Sequence, residues 1–496
     1  MTRDAPAGTA RDGKGDQRPA VGAAPGGQRE RGLLALYVAN GISALGTRMS
    51  FLAVPWFVLT STGRAVDAGL VGFAEMAPYV AVQALGGPAV DRLGVRRTSI
   101  TTDLLATVTV GLVPVLHLMH ALPLPLLATL LGLAGAARGA GDTARDVLVP
   151  VLADRSGTPL ERAAGVADGA SRLAGLIGAP VAGVLISATS PLTVLAVDAA
   201  TFAASAAVVL GGIRPVQAHA GEPVESLDEA APSYLRSLRA GFRFLCSDRL
   251  LLGIAAMILV TNTLDQAQAT VLTPTWATRI AGSSLALGLV AGGFSAGAVT
   301  GNLLLSWLGP RLPRRLTYGI GFLLAGAPRY LAMALCSTVP PVLAVAVVAG
   351  VGAGSLNPVL GAVQYERIPR PMQPRVLGAL GAIAWAGIPI GSLAGGTLTD
   401  HLDLRPTLLL AGATYFVTTL APFVFPAWRG MNRNPLIGTD FPTGPVIDPD
   451  RRASPGPTMP RCSLLRGSGP GRCRHSGAKK KSPVPNQGQP ARVSTT

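Results

Sequence analysis

Between residues 32 and 427 long apolar runs alternate with short arginine-rich clusters, and this alternation limits the folds open to the chain. A helix crossing about 30 Å of hydrocarbon needs about 20 residues at about 1.5 Å each. Runs of that length fall near 33–60, 68–88, 98–118, 121–140, 164–187 and 191–212. Six more follow near 250–276, 284–307, 316–336, 340–363, 377–398 and 406–427. Charged residues make up 14% of the 496 and hydrophobic ones 49%, whereas a soluble chain devotes about a quarter to charge. Lipid can solvate such stretches; water cannot. The runs are rich in Leu, Ala and Gly, lack period-two alternation and are too long for single barrel strands. Gly292, Gly293, Gly301, Gly350 and Gly354 would let helices approach closely. Pro55, Pro78, Pro180 and Pro389 are tolerable because neighbours in a membrane bundle satisfy the carbonyls they free. The expected fold is an all-α polytopic membrane protein of twelve transmembrane helices in two six-helix bundles.

Charge clusters divide the chain further. Residues 1–31 are Gly/Ala/Pro-rich and contain no cleavable signal pattern, so they read as a disordered cytoplasmic lead to a retained first helix. The bundles are expected over 32–212 and 250–427, joined by a polar linker over 213–249. In that linker Leu235, Leu238, Phe242 and Leu245 recur at helical steps, with Arg236, Arg239 and Arg243 elsewhere, as in an interfacial helix. Residues 428–496 are rich in Pro, Gly and Ser, and read as a disordered basic cytoplasmic tail. From Trp428 onward twelve Arg or Lys face three Asp, so the tail holds more than half of the net charge of +16. That distribution argues against a nucleic-acid groove.

The remaining basic residues set an orientation. Arg92, Arg96 and Arg97 follow the second run, and Arg138, Arg145, Arg155 and Arg162 surround the loop after the fourth. Arg311, Arg314 and Arg315 follow the eighth, and Arg367, Arg370 and Arg375 the tenth. The opposite loops hold at most one Arg each, namely Arg64, Arg279 or Arg405. The positive-inside rule then places both termini in the cytoplasm. Cys246 and Cys336 are far apart, and Cys462 and Cys473 have only His475 nearby, too few ligands for zinc. No metal and no cofactor are expected, and no nucleophile–base constellation suggests an enzyme.

Several polar positions are candidates for the working site. Gly87-Pro-Ala-Val-Asp91-Arg92-Leu-Gly94-Val-Arg96-Arg97 joins the second and third runs, where Gly94 permits a tight turn. Asp91 could hold one conformational state through an ion pair or a helix terminus, with Asp142 and Arg145 in an adjoining network. A weaker echo, Gly301 to Arg315, places Ser306 near the position of Asp91, which supports two related halves. Glu75 and Asp265 lie within apolar runs, where an ionisable group should face protein or water, and are candidate proton carriers. Asp103, Asp198 and Arg329 read as ties between helices. Asn40, Ser43, Thr47 and Ser50 recur on one helical face, a candidate cavity lining together with Trp56, Tyr79, Trp385, Asn262 and Gln266.

These features resemble the major facilitator superfamily. The six-plus-six plan covers about residues 32–427, and Gly87…Asp91-Arg92…Gly94…Arg96-Arg97 is similar to its loop between helices two and three. The stretch from Tyr37 to Gly46, Pro55-Trp56 and Gly178-Ala-Pro180-Val-Ala-Gly183 resembles the drug:proton antiporter branch of macrolide-efflux and siderophore-exporter-like proteins. Ala179 departs from that branch's glycine before proline. The resemblance implies two rocking bundles, a cytoplasmic gate at Asp91 and Arg92, and helix packing shaped by Gly178, Pro180 and Gly183. Proton-coupled efflux of an amphiphilic compound such as a drug or secondary metabolite is the expected function, by a monomer whose partners are small-molecule substrate, protons and lipid. Metabolite uptake by proton symport is the alternative within the fold, and a membrane enzyme or non-transporting scaffold the alternative outside it.

Overall fold

The computed structural model describes residues 26–87, 90, 93–214, 239–308 and 311–432. Asp91 and Arg92, Gly309, residues 1–25, most of the linker and the tail beyond 432 lie outside the described residues. Among the described residues twelve helices are long and apolar enough to cross a membrane, and none is a strand. We number them α1 (Gly26–Thr62), α2 (Ala65–Leu85), α3 (Val95–Leu118), α4 (Leu124–Ser156), α5 (Leu160–Ala188) and α6 (Pro191–Gly212). The second six are α7 (Arg249–Ala281), α8 (Ser284–Leu308), α9 (Arg314–Leu335), α10 (Val339–Arg367), α11 (Arg370–Leu402) and α12 (Leu404–Val424). The protein is an all-α, multi-pass membrane protein.

Solvation by lipid shows in the exposed residues. On α3, Leu104, Leu105, Val108, Leu112 and Val115 form an outward apolar stripe. Water would penalise such a stripe, whereas lipid does not. Asp103 and Ser99 face inward from the same helix. Helices α1–α6 pack around α1 and α4, and α7–α12 around α8, α10 and α11. Two helix pairs make the most extensive contacts between the halves: α2 against α11, and α5 against α8. Both crossings depend on small residues. A Cβ on Gly69 would strike the carbonyl of Ser392, and one on Gly183 would lie 2.9 Å from the carbonyl of Ser284 and 3.0 Å from Cα of Gly288.

Helix ends and breaks follow local chemistry. The Asp248 carboxylate caps α7 by accepting the N–H groups of Leu250 and Leu251 at 2.9 and 3.2 Å. Gly157, at φ 67°, ends α4 in the left-handed region that favours glycine. α9 breaks at Gly326, where a Cβ would collide with the ring of Tyr415. α7 contains two π-helical turns, Gln268–Leu272 and Ala277–Ala281, which shift the faces of its polar residues relative to a regular helix.

Several boundaries differ from the expectations above. α1 begins at Gly26, inside the segment expected to be disordered. α4 continues to Ser156, well beyond 140, because its charged turns point inward to partners. The fold also runs past 427. Pro426–Met431 forms a short 3-10 helix whose Trp428 is buried against Gly253 and Tyr318. The described end of the linker, a helix over 239–247, packs on the second bundle rather than lying wholly on lipid. A Cβ on its Gly241 would collide with the carbonyl of Arg375, and its Leu245 is buried with Val376 and Leu380.

Candidate functional site

The helices alternate in direction, so the start of α1 and the end of α12 share one face, here the terminal face. At the opposite face the halves are latched. The Asp400 carboxylate, at the end of α11, accepts the first N–H groups of α2, from Ala65 at 3.0 Å and Val66 at 2.8 Å. Arg279 donates to the carbonyl of Gly63 at 3.0 Å and pairs with Asp400 at 3.5 Å. Ser284 donates to the carbonyl of Gly183 at 3.2 Å. These polar links between the halves all lie at the opposite face. Midway, the rings of Tyr79 and Trp385 stack across the halves at 6.0 Å.

Two adjoining cavities lie between the halves. One, of about 650 Å³, is lined by α1, α5, α7, α8, α9 and α11, including Phe51, Asn262, Gln266, Gln268, Phe294 and Trp385. The other, of about 810 Å³, reaches Val149, Pro150 and Leu160 near the terminal-face ends of α4 and α5. Both share Arg48, Phe51, Ser171, Gln266, Trp385 and Ile388. Each volume can hold a small organic molecule.

The cavity walls carry paired charges. Arg138 of α4 is joined to Glu75 of α2 and lies over the rings of Phe51 and Tyr79. Arg145 donates to Asp103 at 2.5 Å and to Ser205 at 3.3 Å, and lies 3.5 Å from Asp142. Asp142 accepts the Tyr79 hydroxyl at 3.1 Å. On the other half Arg329 donates to Asp265 at 2.6 Å and lies over Phe294. In a medium of low polarity each pairing avoids an isolated charge.

The proposed gating, proton-carrying and lining residues are thus distributed as follows. Glu75 and Asp265 both face arginines, and Asp142 and Arg145 belong to one network. Arg96 holds the end of α6, donating to the carbonyls of Ile213 at 2.6 Å and Leu210 at 2.8 Å, while Arg97 is exposed. Gly94 has φ 83°, and Gly87 has open space around a prospective Cβ. Asn40, Ser43 and Thr47 line the larger cavity, and Asn262 donates to the carbonyl of Ala384 at 2.8 Å. The Gln266 amide nitrogen has no partner, although the side chain lines both cavities. Trp56 lines neither; its bulk fills the seam between the two apolar cores. Ser50 is likewise withdrawn from the lining, its hydroxyl donating to Asp198 at 2.5 Å. Gly178 abuts Arg48 and Leu45 of α1, and Pro180 abuts Gly292 of α8.

Two residues were missed from the sequence. Arg48 lines both cavities and is solvent-accessible, with no hydrogen bond or ion pair among the described residues. Its signal was a lone arginine inside the first apolar run. Asp400 had no local signal, since its partners are more than 330 residues away.

A model of the Major Facilitator Superfamily matches residues 36–282 and 263–445. The chain belongs to that superfamily. It is homologous to multidrug efflux pumps: 30% identity to the multidrug efflux pump Tap of Mycobacterium tuberculosis spans 82% of this chain and 96% of that protein. Tap of Mycolicibacterium fortuitum is 29% identical, over 81% and 98%. Among solved structures, the nucleoside transporter NupG superposes with a TM-score of 0.59 at 15% identity, covering 79% of this chain and 99% of that one. A bacterial homolog of the human lysosomal transporter Spinster, inward-facing and unoccupied, gives 0.61 at 14%, covering 84% and 100%. A POT family transporter complexed with a thioalcohol-conjugated peptide gives 0.64 at 12%, covering 80% and 96%. These structures share the fold. The superfamily member described here is a secondary transporter of small molecules across a membrane.

Proposed function

We propose that the protein exports a small amphiphilic compound, such as a drug or secondary metabolite, in exchange for protons. The observation that carries this reading is the interbundle cavity, closed at the opposite face by the Asp400 latch and extending toward the terminal face. Phe51, Phe294 and Trp385 offer apolar surface, while Asn262, Gln266 and Arg48 offer a few polar contacts. This combination suits an amphiphile. The similarity to multidrug efflux pumps favours export. The arginine-rich loops favour a cytoplasmic terminal face, which makes the state inward-facing and the protein multi-pass with both ends inside. The working unit in this reading is a monomer, since one chain supplies both cavity-forming bundles.

In this reading the halves rock about the cavity, and breaking the latch opens the opposite face. Gly87, Asp91, Arg92, Gly94, Arg96 and Arg97 serve the terminal-face gate, with Asp142 and Arg145 beside it. Gly178, Pro180 and Gly183 supply the close packing on which α5 pivots. Glu75 and Asp265 take part in coupling by exchanging arginine contacts as protons bind and leave. The test uses ethidium in cells producing the chain. Export predicts lower retention than in vector controls, and loss of that difference when a protonophore collapses the gradient. Greater gradient-driven accumulation would instead establish uptake.

A further inference from the structure

Among the described residues, Asp198 is a buried carboxylate without an arginine or lysine against it. It sits midway along α6, is 1% exposed, lines neither cavity and has no ion-pair partner among the described residues. Most charged groups on the neighbouring helices are paired with one another. Glu75 of α2 holds Arg138 of α4, Asp103 of α3 holds Arg145, and Asp168 of α5 holds Arg172. Arg48 of α1 opens to the cavities. An ionised carboxylate at such a site would have hydroxyls as its only direct contacts, with Arg138 acting on it only from a distance, and burying it so costs several kcal/mol.

The hydrogen bonds fit the neutral acid. Ser50 donates to Oδ2 at 2.5 Å. Thr201 lies 3.4 Å from Oδ1, but its hydroxyl lies only 2.7 Å from the backbone carbonyl of Asp198. A threonine hydroxyl has one proton and two lone pairs. With that proton committed to the carbonyl, Thr201 can accept one from Oδ1. A protonated Asp198 keeps the Ser50 bond at Oδ2 and can turn its own O–H toward Thr201, which must approach from 3.4 Å to complete a hydrogen bond.

We infer that Asp198 is the residue that carries the coupling proton, and that the closed-latch state is its proton-loaded form. The inference rests on the antiport reading above. Arg138 lines the larger cavity and acts on both Glu75 and Asp198 through space. When Arg138 leaves Glu75 for Asp198, it stabilises the Asp198 carboxylate, and the space Arg138 vacates opens Asp198 to the larger cavity, whose water takes the proton. Substrate that displaces Arg138 from its rings, Phe51 and Tyr79, provokes that exchange. One proton leaves the Oδ1–H bond and no other bond changes.

The experiment has two arms on the full chain in liposomes. In the first, infrared difference spectroscopy follows the protonated-carboxyl C=O stretch through a pH titration. The wild type, Glu75→Gln and Asp265→Asn show a titrating band that Asp198→Asn lacks, and Ser50→Ala displaces its midpoint. An unchanged band in Asp198→Asn overturns the inference. The second arm measures ethidium movement together with proton movement, reported by an entrapped pH dye. The expected result is loss of proton movement and of gradient-driven ethidium transport in Asp198→Asn, with downhill ethidium exchange retained, which also shows that the variant is folded. If the wild type moves ethidium without protons, the antiport reading falls and takes the assignment with it. If both proteins couple protons equally, the antiport reading stands and Asp198 alone is excluded.

Discussion

Replacing Asp400 by alanine should open the opposite face, because this one carboxylate satisfies two N–H groups at the start of α2 from the other half of the molecule. A hydrogen bond to a charged group contributes about 1.5–3 kcal/mol, and a carboxylate at a helix N-terminus about 0.3–2 kcal/mol. Asp400 is 22% exposed at its side chain, and water can reach the freed N–H groups once the halves part, so the two bonds together contribute about what a single bond in that range does. About 2 kcal/mol for the pair of bonds corresponds to about a thirtyfold shift in the ratio of closed to open. A wild-type ratio of about 100:1 would become about 3:1. Asp400→Asn keeps a carbonyl acceptor without its charge and should shift the ratio about fivefold, for about 1 kcal/mol. Arg279→Ala removes one exposed hydrogen bond across the halves, to the Gly63 carbonyl at 3.0 Å, and a 3.5 Å contact with Asp400, so it should shift the ratio less than Asp400→Ala does. The measurement is the spin-label distance distribution between residues 121 and 337, which lie in the opposite-face connections of the two halves. A wild-type distribution in Asp400→Ala, or a larger shift in Arg279→Ala than in Asp400→Ala, would refute the reasoning.

Three further outcomes follow from the packing. Arg145→Ala leaves the buried Asp103 charge unmatched and should cost about 3–5 kcal/mol, read as a lower Tm in detergent, with partial recovery in the Asp103→Asn, Arg145→Ala double variant. Trp428→Ala empties a buried site beside Gly253 and should cost about 3–5 kcal/mol, whereas a tail residue outside the fold would leave Tm unchanged. Burial opposes ionisation of Asp248, but hydrogen bonds from Arg367 and the N–H groups of Leu251 and Leu250 outweigh it and hold its carboxyl below the usual carboxylate range. The stabilisation is therefore complete above the unfolded value of about 3.9 and is lost as pH falls through the lower folded value. The Tm advantage of the wild type over Asp248→Asn should stay level from about pH 7 to 5 and shrink below about pH 4.

The helix count was legible because it depends on a one-dimensional quantity, the length of apolar sequence available to lipid. The ends were less legible where side chains find partners far away in the chain. Arg138, Asp142, Arg145 and Asp146 mark the end of an apolar run in sequence, yet α4 continues through them, with Arg138 and Arg145 facing Glu75 and Asp103 inside the bundle. The same distinction separates the two classes of candidate carboxylate. Position within the apolar runs marked Glu75 and Asp265 as candidate proton carriers and left Asp103 and Asp198 as ties between helices. The fold divides the four differently, by supplying arginines to the first three and hydroxyls to the last. The resulting asymmetry has a mechanistic consequence. A carboxylate already matched by arginine gives up an attractive contact when it binds a proton, whereas an unmatched one gives up only a costly charge. Proton binding can therefore be favourable at Asp198 while the neighbouring ion pair stays intact, and movement of Arg138 between Glu75 and Asp198 can turn that local difference into proton release.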